Sequence, residues 1–110
     1  MAQVAGAPNP LVGTWKVVSF QFEFEGTDER RDVYDEHPTG FIIITADGRM
    51  MTVVTASNRS RDAAPSVLLD SMTAYSGRYR LQGEDCFITT VDSAWHPAWV
   101  GTEQTRFFKL

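Results

Sequence analysis

The chain has 110 residues, enough for one domain with a small core. Hydrophobic residues make up 43% and charged residues 22%, the balance of an ordinary globular protein. Ten Lys+Arg against fourteen Asp+Glu give a net charge of -4, which offers no field to attract phosphate backbones or anionic lipid, so nucleic acid and membrane surfaces are not expected partners.

Residues 1–10 are small and Pro-containing, with neither the basic start nor the apolar stretch of a secretory signal. They read as a flexible leader to a single domain over 11–110. Cys86 stands alone, so no intrachain disulfide forms, and a reducing, cytoplasmic location is expected. One Cys and two His cannot build a zinc-finger-type site. His37 follows Asp35 and Glu36, but nothing like His-x-His or His-Glu-x-x-His is present, so neither metal nor cofactor is expected.

In chain order, 14–25 (TWKVVSFQFEFE) comes first. Val18, Phe20, Phe22 and Phe24 alternate with polar residues, the period of a half-buried strand. Trp15 has the opposite parity, so a bulge near Val17 and Val18 is expected within one strand of roughly 40 Å. Residues 26–28 carry turn chemistry, 30–34 read as a short strand or loop, and 37–40 as a turn. The run 41–45 is dense in β-formers, Asp47-Gly48 signals a two-residue hairpin, and 49–55 returns as its partner. Polar residues 56–64 form a loop before the one helix, over 65–72, with Pro65 in its first turn. Tyr75, Gly77, Tyr79 and Leu81 share one face of the next strand. The turn 83–85, a strand over 86–91, a Trp- and Pro-rich connection over 92–100 and a last strand over 103–110 complete the chain. Sequential hairpins with one helix imply an all-β, antiparallel, up-and-down barrel or sandwich.

The blocks LVGTWKVVSF, GFIIITADGRMM, AYSGRYRL and HPAWVGTEQTRFFKL resemble, in order, those of a small lipocalin-like domain family of bacteria and fungi. The resemblance covers about residues 11–110 and implies a lipocalin-like barrel. It also implies that Arg106, on a late strand, packs over Trp15 of the Gly-x-Trp block as a structural plug. Members of the family run further, with one or two closing strands. The expectation is therefore a tail that lies beyond this sequence, a barrel left open, or one completed by a partner chain such as a homodimer mate.

Several residues are candidates for chemistry. Phe20, Phe22, Phe41, Trp95 and Trp99 supply more aromatic area than so small a core needs, and would line a ligand cavity. Tyr75 and Tyr79 would join them if their face points inward, or serve as core tyrosines. Arg59 and Arg61 lie on a polar loop where a guanidinium could clamp an anion, and the resemblance favours Arg59. His96, four residues after Asp92, is the candidate acid/base, with Tyr75 and Tyr79 beside it, or else an inert loop histidine. Cys86 follows Glu84 and Asp85, whose charges raise a thiol pKa, so it reads as structural. Three functions follow. The first is binding of a small, mainly apolar molecule. The second is a cofactor-independent isomerase, cyclase or lyase on an apolar substrate. The third is a solidly packed barrel with an interaction role.

Overall fold

The computed structural model describes residues 9–23, 26 and 29–109, without the side chains of Phe22 and Glu23. The strands are β1 (Gly13–Lys16), β2 (Gln21–Glu23), β3 (Arg30–Asp32), β4 (Thr39–Ile44), β5 (Arg49–Thr55), β6 (Met72–Leu81), β7 (Cys86–Ala94) and β8 (Glu103–Phe107). The helix α1 spans Pro65–Asp70, and a single 3-10 turn spans Pro97–Trp99. Six strands form one antiparallel sheet in the order β1-β4-β5-β6-β7-β8, and β2 and β3 form a separate ribbon. β1 and β8 are the two edges, so the sheet is not closed. This is the all-β, up-and-down arrangement that the hairpin pattern predicts, in its open form.

The expected twelve-residue first strand is two strands in two sheets. The reason is partner length. β1 pairs with β4 from Gly13 to Lys16, and Val17 donates its N–H to Gly40 O at 2.9 Å. β4 starts at Thr39, so the chain beyond Val18 has no ladder to join. It leaves the sheet with Val18 exposed and pairs instead with β3, through Gln21↔Asp32 and Glu23↔Arg30. The 30–34 segment, left open between strand and loop, is a strand over its first three residues. Phe24 lies outside the described residues.

The hairpin between β4 and β5 differs from the two-residue turn expected. Thr45 N donates to Arg49 O at 2.9 Å, which leaves a three-residue loop with Gly48 at φ 95. That is the Gly-closed bulge type, in which the left-handed position needs glycine. The helix is shorter than expected, because Met72 already belongs to β6. Likewise β7 runs on to Ala94, taking three residues from the predicted connection.

The core lies on one face of the sheet. Leu11, Ile44, Met50, Tyr75, Tyr79, Phe87 and Val91 pack there as one buried cluster, each large side chain contributing about 1.5–3 kcal/mol by burial. The outward face carries an exposed apolar row of Phe41, Ile43, Met51 and Val53. β6 and β7 lose register between Ser76 and Gly77: Gly77 faces Val91, whereas Ser76 faces Ser93. Asp92 is therefore an extra residue, a bulge. A Cβ on Gly77 would sit 2.0 Å from Thr90 O, so only glycine allows this approach.

Gly77→Ala is expected to destabilise the fold by about 2–3 kcal/mol, lowering the thermal midpoint by roughly 10–20 °C in a chain of this size. Gly83 has a positive φ of 73 but open space around it, and Gly83→Ala should cost only about 1 kcal/mol. Far-UV circular dichroism melts check both. Equal midpoints for the two variants would remove the bulge contact as a constraint.

Candidate functional site

The inward face ends in an aromatic cluster where β6, β7 and the 3-10 turn meet. Trp95 and Trp99 lie with ring centroids 4.7 Å apart at 64°, and Trp99 is 5.4 Å from Tyr75. Trp95 is anchored at both ends: its backbone N–H donates to Ala74 O at 2.8 Å, and its indole Nε1 donates to Leu69 O at 3.1 Å. Thr102 Oγ1 donates to Trp99 O, which holds the turn against the start of β8. Tyr75 is buried, while both tryptophans remain only half-buried.

Arg106 reaches this cluster from β8. Its guanidinium carbon lies 5.6 Å from the Tyr75 ring centroid, 5.8 Å from Trp99 and 6.0 Å from Phe20. Phe20 arrives from the opposite edge of the sheet. Beyond β1 the chain crosses the inward face, and Phe20 also meets Tyr34 edge-on at 6.0 Å. Tyr34 in turn bonds Thr73 through its hydroxyl at 2.5 Å. The break in the first strand thus delivers an aromatic lid residue to the far strand.

At the other end of the face, Tyr79 is closed off. Its hydroxyl donates to Thr45 O at 3.0 Å and accepts from Asn9 Nδ2 at 2.8 Å. Burial raises the Tyr79 phenol above its ordinary pKa, an effect opposed by the Asn9 bond and reinforced by Asp47. Burial also raises Tyr75, opposed by the positive charge of Arg106 and a hydrogen bond with it.

A sequence profile of the lipocalin-like domain family matches residues 12–110, which takes in every described strand. The chain belongs to the lipocalin-like domain family. No curated protein matches it closely enough to narrow that assignment.

Within this lipocalin-like domain the sequence-derived candidates separate. Phe20, Tyr75, Trp95 and Trp99 come together. Tyr79 lies on the same face, at its filled end. Phe41 does not join them: it pairs with Lys16 and Val53 on the outward face and is 52% exposed. The register pairs its neighbour Ile42 with Trp15 and with the buried Thr52, so Phe41 faces the other way. The Phe22 side chain is outside the described residues. Arg59 is also elsewhere, with Nε donating to Ser71 Oγ at 3.0 Å and Nη2 to Leu68 O at 2.9 Å. It satisfies a carbonyl at the end of α1, as basic side chains do at helix C-termini. His96 accepts at Nδ1 from Ala98 N at 3.2 Å, capping the 3-10 turn. Asp92 does not orient it. That carboxylate takes Arg49 at 2.6 Å and Ser76 at 3.2 Å, and Arg49 holds it below its ordinary pKa.

The expected Trp15–Arg106 plug is not formed. Gly13 adopts φ 143, which turns the chain so that Trp15 Nε1 donates to Leu11 O at 2.8 Å. Arg106 stacks on the other rings because β1 and β8 are opposite edges. Its place in the cluster was missed by sequence reasoning, although the alternation of Gln104, Arg106 and Phe108 in the last strand carried the signal. Cys86 is buried, and burial with Asp85 raises its thiol, in line with a structural role.

Among the described residues no group of three His, Cys, Asp or Glu side chains could hold a metal ion, and no helix is long and apolar enough to cross a membrane. Two open depressions of about 360 Å³ lie away from the cluster. One is on the outward row around Phe41 and Met51, and the other lies between Leu11, Leu81 and Phe108.

The shifts set a pH window. Tyr75 and Tyr79 have raised folded pKa values, so their contribution is complete below the ordinary value of 10.0 and is lost as pH rises through the folded values. Asp35, held down by the Ser57 backbone N–H and hydroxyl, and Asp92 act in the opposite sense. Their contribution is present above 3.8 and lost as pH falls through the folded values. Urea midpoints should therefore be flat at neutral pH and fall on both sides, and Tyr75→Phe should soften the alkaline fall. An alkaline limb that is unchanged in Tyr75→Phe would contradict the assignment.

Proposed function

We propose that this lipocalin-like domain binds a small, mainly apolar molecule at the Trp95–Trp99–Tyr75 cluster, beneath Phe20. The observation that carries the reading is the pair of tryptophans 4.7 Å apart that the fold gathers but leaves half-buried. Large flat rings with uncovered area, next to a few polar groups, are the usual lining of a small-molecule site.

A second reading, a solidly packed interior with an interaction role, draws on the other end of the same face. There Tyr79, Met50, Val91 and Thr89 are fully buried. An isomerase, cyclase or lyase has less to draw on, because one nitrogen of His96 is engaged in capping and Tyr75 is the only proton-carrying phenol in the cluster.

The test is titration with the uncharged probe N-phenyl-1-naphthylamine, followed by energy transfer from tryptophan. Saturable binding that weakens about tenfold or more in a folded Trp99→Ala variant is the expected result. Binding that never saturates, or that ignores Trp99→Ala, would leave the packed interior as the better account.

A further inference from the structure

The geometry points to a carboxylate on the ligand, seated on Arg106 and the Tyr75 hydroxyl: the guest is a small organic acid with an apolar or aromatic body. This rests on the binding site proposed above and specifies its chemistry.

The argument begins from where the charges are. The half-buried Arg49 and the exposed Arg80 each have a carboxylate, Asp92 at 2.6 Å and Glu103 at 2.7 Å. Arg106 is half-buried, with three aromatic rings within 6.0 Å, yet among the described residues no carboxylate pairs with it. Its hydrogen bonds go to the Thr105 carbonyl at 3.0 Å, weakly to Gln104 Oε1 at 3.5 Å, and to the neighbouring Tyr75 hydroxyl. Nε donates to nothing among the described residues. A guanidinium has five donors in a planar fork, and a partly desolvated cation without a counter-charge is costly to hold. Ring contacts offset some of that cost, but they act on the faces of the guanidinium and leave Nε and the remaining N–H groups of its edge open to a guest. The chain has fourteen Asp and Glu side chains, and none of those described is placed here.

One planar fork with one phenol beside it suits a singly charged, planar carboxylate, which it can grip through two parallel bonds. A doubly charged phosphate would want a second cation, and Arg59 is committed to the end of α1. The apolar body of the acid would then lie on Trp99 and Trp95.

The experiment compares 4-phenylbutanoate with 4-phenylbutan-1-ol at neutral pH. Binding is followed by tryptophan fluorescence and by displacement of N-phenyl-1-naphthylamine. The acid is expected to bind the unmodified protein about tenfold tighter or more, with the preference shrinking as salt is raised. Arg106→Gln should bring the two to parity, and Tyr75→Phe, which keeps the ring, should reduce the preference without abolishing it. If Arg106→Gln does not fold, the acid-to-alcohol ratio in the unmodified protein and in Tyr75→Phe decides. Equal binding of acid and alcohol with the neutral probe still bound would overturn the carboxylate seat and leave the binding site standing. A preference that survives Arg106→Gln would place the anion elsewhere and also overturn it. Failure of all three compounds to bind would overturn both readings together.

Discussion

β7 carries one residue more than β6 opposite Gly77, and the geometry of the tryptophan end depends on that extra residue. Below the bulge Val91 faces inward across from Gly77, and above it Ala94 faces inward across from Tyr75. In a regular ladder, residues three apart point to opposite faces. Asp92 absorbs the mismatch and turns its carboxylate outward to Arg49 and Ser76. Without that insertion every residue of β7 beyond Val91 would change face. Trp95 would then lose its place over the end of α1, and Trp99 its stack on Tyr75. The bulge is possible because Gly77 has no side chain where the Thr90 carbonyl comes close.

A second constraint works from the other edge. β4 is too short to carry the long apolar alternation of the first strand, so the chain leaves the sheet after Val17 and crosses the core face. The crossing brings Phe20 to Arg106, which sits on the strand farthest from β1 in the sheet order. An open sheet would otherwise leave that end of the core face bare. Phe20 and Tyr34 cover part of it, and the Tyr34–Thr73 bond ties the segment after the ribbon back to β6.

How much of this was legible in the sequence follows from the range of each interaction. The β4–β5 hairpin, the strand after the helix and the last strand were readable because period-2 alternation and turn residues are local signals. The family blocks added the lipocalin-like fold. The twelve-residue strand misled, because alternation records which face is apolar and not whether a partner exists alongside. Phe41 was assigned inward for the same reason: its register is set by pairing with Lys16 and Val53, which lie far away in sequence. His96 and Arg59 looked like chemistry and turned out to cap local backbone, a use that residue type cannot distinguish from catalysis. The cluster of Phe20, Tyr75, Trp99 and Arg106 draws on four separate segments, so only its members were visible beforehand, and Arg106 was given a different stacking partner.

The two ends of the core face handle polarity in opposite ways, and this contrast makes the tryptophan end the place to look for a guest. At the Tyr79 end the hydroxyl has both a donor and an acceptor from distant segments, and Asn9 is itself fixed through Leu11 N. Such a network is complete within the chain and gains nothing from an added molecule. At the other end a guanidinium lies among rings with few acceptors, and two indoles keep part of their surface uncovered. A side chain that served only to plug the sheet could be a leucine or methionine at lower desolvation cost. Keeping a cation there, unpaired by any described carboxylate, is intelligible if its counter-charge is supplied from outside the chain.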